Sequence, residues 1–130
     1  MIGLDTNILV RYLAQDDRVQ SPRANQIIDG LTEDQPGFIS IVAIVETVWV
    51  LDRLYGLSNK EIGRCIERML QADTLVVQNE QEVFTAMTAL KANSGSFSDA
   101  LIGALGGWAG CPATLTFDRK AARLAGFELA

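Results

Sequence analysis

Histidine is missing from all 130 residues. That absence removes the Ser-His-Asp relay, imidazole acid–base catalysis and histidine-ligated metals. Any catalysis must run on carboxylates, hydroxyls, lysine or a bound metal. Cysteine is nearly missing too. Cys65 and Cys111 stand far apart with no histidine to join them, short of the roughly four N/S ligands of a zinc site. They read as buried thiols in a reducing cytosol. Long apolar runs are also lacking: the longest, Phe38 to Val45, is interrupted by Ser40 and closed by Glu46, far from the roughly 18 apolar residues of a membrane span. The first residues, MIGLDTNIL, carry an acid at position 5 and neither a basic region nor a small-residue cleavage site. Mature structure is expected there rather than a signal peptide. Positive charge is in short supply as well. The net charge of −5 argues against a protein held to nucleic acid by a broad basic surface. Phosphate binding by metal ions and a few local basic residues stays open.

What is present is ordinary for a globular protein: 48% hydrophobic and 21% charged residues, enough for one domain over residues 1–130 with a core of its own. No repeat, low-complexity stretch or linker interrupts it. Ile2 to Asp5 reads as a short strand ending in an acid, followed by helical spacing over Thr6 to Ala14. Ser21-Pro22 reads as a helix opening, serine as cap and proline in the first turn, leading to about Leu31. Gly37 to Ser40 is a strand, with Ser40 capping an apolar helix from Ile41 to Tyr55 that Gly56 stops. Ser58 with Glu61 has capping-box spacing and opens a helix to about Gln71. Thr74 to Gln78 is β-rich, and Asn79 with Glu82 repeats the capping signal for a helix to about Ala92. A loop over Asn93 to Ser96, a glycine-spotted helix over Phe97 to Ala109 and a strand over Ala113 to Phe117 follow. A short helix over Arg119 to Ala125 and a last strand over Phe127 to Leu129 complete the chain. Alternating strands and helices imply an α/β fold, a mostly parallel sheet covered on both faces. Such sheets bind ligands beyond the carboxyl ends of their strands, where Asp5 and Asp118 fall.

Four acids fit their surroundings poorly. Glu46 lies in IVAIVETVWVL, a helix apolar nearly all round and therefore expected to be buried, where a glutamate needs a partner. An arginine salt bridge or a solvent-facing helix edge would also explain it. Asp99 lies in FSDALIGAL, although an acid in a first helical turn is favoured by the helix dipole alone. Asp5 and Asp118 each follow a strand, and each could simply cap the next helix. Together they are four carboxylates from four separate elements. If they converge, repulsion would raise their pKa values unless a divalent cation neutralises them. Oxygen donors without His or Cys select Mg²⁺ or Mn²⁺.

The set LDTNIL at residues 4–9, Ser40 to Glu46, FSDALIGA at 97–104 and TFD at 116–118 resembles the PIN-domain family, with its nearest likeness in VapC-type toxins of toxin–antitoxin pairs. It spans the whole chain in order and spacing; no single piece is specific, and the combination is. The resemblance implies a Rossmann-like three-layer α/β/α sandwich and a Mg²⁺-dependent endoribonuclease, with one or two ions. A homodimer and a cognate antitoxin inserting a segment into the acidic groove are implied with it. Asp5, Glu46, Asp99 and Asp118 match the family's acidic quartet, and Thr6, Asn7 and Thr116 match polar positions beside it. One departure is visible: many relatives carry a further acid three residues before the helix aspartate, where this chain has Ser96, which puts a second metal in doubt.

Metal-activated water would attack the phosphodiester without help from the 2′-hydroxyl, leaving 5′-phosphate and 3′-hydroxyl ends. Arg119 and Lys120, beside Asp118, are candidates for phosphate contact, or else a solvated helix start; Arg11 is a similar candidate. Trp49, Trp108, Tyr12 and Tyr55 are read as core or dimer surface rather than as base-stacking platforms. Two alternatives remain: a nuclease of the same fold acting on DNA or in RNA processing, and a non-catalytic binding scaffold. An aspartyl-nucleophile phosphatase would want an acid two residues after Asp5, where Asn7 stands.

Overall fold

In a computed structural model describing all 130 residues, strand and helix alternate as the apolar patterning implies. The order is β1 (Ile2–Gly3), α1 (Thr6–Ala14), α2 (Gln20–Asp29), β2 (Gly37–Ile39), α3 (Ile41–Arg53), α4 (Asn59–Gln71), β3 (Leu75–Val77), α5 (Glu80–Lys91), α6 (Phe97–Trp108), β4 (Thr114–Thr116), a single 3₁₀ turn (Ala121–Arg123) and β5 (Phe127–Leu129). Every strand pair is parallel. β1 pairs with β2 (Ile2 opposite Gly37) and β2 with β3 (Ile39 opposite Val77), while β4 pairs with β5 (Thr114 opposite Phe127). The α/β class expected from the sequence holds. The five strands nevertheless form a three-stranded sheet and a separate pair. Helix α6 is what holds that pair: Gly103 lies against the Phe127 ring and Gly106 against the Thr114 hydroxyl.

The core lies where helices α4, α5 and α6 meet one another and the sheet. Helix α5 packs on both α4 and α6, and Ile62, Ile66, Val83, Met87, Phe97 and Leu101 are sealed from water together with Ile39 and Ile44. Burial of such side chains is worth roughly 1.5–3 kcal/mol each, so this cluster sets the frame on which α3 and α6 are held.

Local chemistry explains most helix starts. The Ser40 hydroxyl accepts from the Ala43 N–H, and Ser58 and Glu61 form the reciprocal capping box. Three expectations fail. Helix α2 starts at Gln20: the Asp17 carboxylate, not Ser21, receives the free N–H groups of Val19 and Gln20 at 2.9 and 2.6 Å. Ser21 is buried and donates to the Arg11 carbonyl instead. Asn79 stands at the start of α5 in a left-handed conformation and caps nothing, since its amide donates to the Glu82 side chain. The helix expected over Arg119 to Ala125 shrinks to the 3₁₀ turn.

Candidate active site

Residues 4–7 turn from β1 into α1 and present Asp5 at the carboxyl end of a parallel strand. Asp5 occupies the cap position of α1, yet its side chain makes no capping hydrogen bond. The capping account of this acid therefore fails. Thr6, the next residue, is buried and donates its hydroxyl to Glu46 Oε1 at 3.3 Å. At that length the bond is weak, but it ties α1 to α3 and sets Glu46 beside the turn that carries Asp5. Asn7 is exposed.

Glu46 itself is exposed, which corrects the expectation of a buried carboxylate and bears out the alternative of a solvent-facing helix edge. Helix α3 buries Ala43, Ile44, Thr47 and Leu51 and leaves Val42, Glu46, Trp49 and Arg53 along one open stripe. Apolar composition hid that open face. Trp49 is 55% exposed and Trp108 68%, so neither belongs to the core.

Asp99 is the third residue of α6, half-buried, with its N–H held by the Ser96 hydroxyl. Ser96, the position where relatives carry a further acid, is the helix cap here. A serine three residues before an acid is the sequence signal for this cap. Asp118 follows β4; its Oδ1 accepts from the N–H groups of Lys120 at 2.8 Å and Ala121 at 3.4 Å, so this acid does act as a local cap. Thr116 accepts from the Asp118 N–H at 3.0 Å and shapes that turn.

The three ion pairs of the molecule are Arg11–Asp16, Arg53–Asp52 and Lys91–Glu67, and none involves the quartet. The salt-bridge account of Glu46 therefore fails too. Arg11 is occupied by Asp16, Gln20 and Tyr55, which removes it as a free phosphate contact. Its neighbour Asp16 also accepts from the Tyr55 hydroxyl, a bond that raises the Tyr55 pKa. Arg119 and Lys120 are exposed and unpaired. Cys65 is half-buried, its thiol pushed up chiefly by burial, whereas Cys111 is exposed rather than buried as expected.

The structure thus joins Asp5 to Glu46 through Thr6, and Asp118 to Thr116 through the turn after β4. It does not bring three carboxylates within reach of one cation. Because β1 bonds only β2 and β4 only β5, Asp5 and Asp118 do not lie on paired strands. The donor chemistry still fits a hard divalent ion. All four groups are oxygen donors without a cationic partner, and Mg²⁺ is usually held by one or two carboxylates, its own waters and substrate phosphate.

A family model for the PIN domain matches residues 2–127, nearly the whole chain. The chain belongs to the PIN-domain family, whose members are generally nucleases that bind nucleic acid and depend on divalent metal. No curated protein matches it. No helix is long and apolar enough to cross a membrane.

Proposed function

We propose that this chain, as a single PIN domain over residues 1–130, is a Mg²⁺- or Mn²⁺-dependent endoribonuclease, and the toxin of a VapBC-type toxin–antitoxin pair that inhibits translation. The observation that carries the nuclease reading is the unpaired state of Asp5, Glu46 and Asp99: none is neutralised by an arginine or lysine, and Asp5 is not used as a cap. The VapC likeness of the quoted motifs supports the toxin role, a cytoplasmic location, a homodimer and a cognate antitoxin.

Asp5 and Asp99 are the most direct ligands in this reading, with Glu46 and Asp118 completing the site in part through water. When bound, the divalent ion supplies a water of lowered pKa and polarises the phosphoryl oxygens. Thr6 keeps Glu46 beside the turn that carries Asp5 through its weak hydroxyl bond. Asn7, exposed next to it, orients water. Thr116 holds the turn that aims Asp118, whose Oδ1 is already engaged by two N–H groups. Arg119 and Lys120 extend from the same turn toward substrate phosphate.

Incubating the protein with total cellular RNA and Mn²⁺, then sequencing the new ends, tests the reading. Cuts with 5′-phosphate and 3′-hydroxyl ends that vanish in Asp5→Asn are expected. Cyclic phosphate ends, or equal cleavage by the variant, would sink it.

A further inference from the structure

The open stripe of α3 does not end at Glu46. One and two turns onward come Trp49 and Arg53, which with Asn59 of α4, Asn93 after α5, the cap Ser96 and Ser98 of α6 line a cavity of about 490 Å³. That volume suits a small organic ligand. Its walls continue the proposed catalytic site on two sides. Glu46 and Arg53 share α3, roughly 10 Å apart along its axis, and Ser98 directly precedes Asp99. The Asn59 amide donates to Asn93 Oδ1 at 2.7 Å, while Asn93 is held in a left-handed conformation. This pairing leaves the Asn59 carbonyl and the Asn93 amide free, an acceptor and a donor side by side. Arg53 pairs only with its exposed neighbour Asp52 at 3.5 Å, so its guanidinium remains available to a phosphate. A half-exposed indole, an amide pair with one acceptor and one donor, and a guanidinium at the rim are the groups that hold a base and its phosphate.

We infer that this cavity is the subsite for one unpaired nucleotide of the RNA strand next to the scissile bond: the base stacks on Trp49, its edge meets Asn59 and Asn93, and Arg53 contacts the phosphate. The inference rests on the nuclease reading and names where that site recognises its strand. Asp52 in the same wall favours the uncharged base inside the cavity, with the phosphate outside.

The test is fluorescence anisotropy with a fluorescein-labelled single-stranded RNA of randomised sequence, in Ca²⁺ so that binding is read apart from cleavage. Trp49→Ala should weaken binding roughly tenfold and Trp49→Phe should restore most of it. Arg53→Gln should lower the salt dependence. Phe84→Ala, on the exposed face of α5, should bind as the unaltered protein does. In a Trp108→Phe background the remaining Trp49 emission should be quenched by the RNA. With Mn²⁺, Trp49→Ala should raise KM and spare kcat, whereas Asp5→Asn removes kcat. If the protein hydrolyses nothing with any divalent ion, the nuclease reading fails while the anisotropy still scores the cavity. Wild-type affinity in Trp49→Ala, or no binding by the unaltered protein, overturns the inference. So does a Trp49→Ala protein that turns from dimer to monomer with RNA affinity unchanged, since the cavity would then belong to a second copy of the chain.

Discussion

A carboxylate that caps a helix and one that holds a cation respond differently to neutralisation. Asp5 makes no capping bond, so Asp5→Asn should melt within about 0.5 kcal/mol of wild type. Its hydrolysis rate should fall by more than about a hundredfold, beyond the loss typical of groups one layer removed from a metal. Asp118 accepts from two backbone N–H groups, so Asp118→Ala should lose activity and also about 1 kcal/mol of stability. Paired melting curves and rate measurements separate the two cases; a destabilised Asp5→Asn with full activity would assign Asp5 a structural role. Strand-end acids are legible in a sequence because turn and strand patterning mark where the chain leaves the sheet. Glu46 is legible as an anomaly, and of the accounts its neighbours allow the solvent-facing helix edge is the one that holds. Nine apolar neighbours report that a helix packs against something; they do not report that one stripe of it, with Val42 67% and Trp49 55% exposed, is left open.

Serine caps wrote the starts of α3 and α4 plainly into the sequence, because a side-chain acceptor three residues from a free N–H is a local matter. The start of α2 was not legible: the acceptor is Asp17, and Ser21 faces inward to a carbonyl of α1, a tertiary contact. Both acids of these helix starts should shape the acid limb of stability. Backbone N–H donors hold Asp17 below its ordinary value of 3.8, first from Gln20 and then from Val19, and the Ser58 N–H holds Glu61 below 4.5. A folded-state pKa below the unfolded one contributes stability that is full above the unfolded value and fades as pH drops through the folded one. Asp17→Asn and Glu61→Gln should therefore flatten the loss of stability below about pH 4.5 relative to wild type, read by urea melts across the acid range. The glycines of α6 divide into two kinds. A Cβ on Gly103 would meet the Phe127 ring at 2.5 Å, whereas one on Gly107 meets nothing. Overpacking costs roughly 1–3 kcal/mol and outweighs the gain of up to about 1 kcal/mol from replacing a helical glycine. Gly103→Ala should lower the melting temperature and loosen β5, while Gly107→Ala should raise it; thermal melts of both proteins check the opposite signs.

Across the whole molecule the acids divide between two groups of strands that share one core. Asp5 and Glu46 belong to the side of β1, β2 and α3, and Asp118 to the β4–β5 pair, whose anchor is α6, the helix that also carries Asp99. Parallel pairing was legible from the alternation of strands and helices; the division into two sheets was not, because strands of two and three residues leave little pattern to specify their neighbours. With no three carboxylates gathered, a divalent ion bound across the site would have to draw the carboxylates of the two strand groups closer, so occupancy and the order of the β4–β5 pair should be coupled. Mn²⁺ at about a hundred times its dissociation constant would add roughly 2.7 kcal/mol, on the order of 10 °C in melting temperature for a chain of this size. Sixteen acidic residues on a chain of net charge −5 attract divalent ions everywhere, so a rise alone decides nothing. The discriminating measurement is amide hydrogen exchange with and without Mn²⁺. Slower exchange in residues 114–116 and 127–129, saturating with the melting shift and absent from Asp5→Asn, is expected of an ion that bridges the two strand groups. Protection spread evenly over the surface, or equal in wild type and variant, would mean that the ion merely screens charge, and the four acids would lose their claim to a common site.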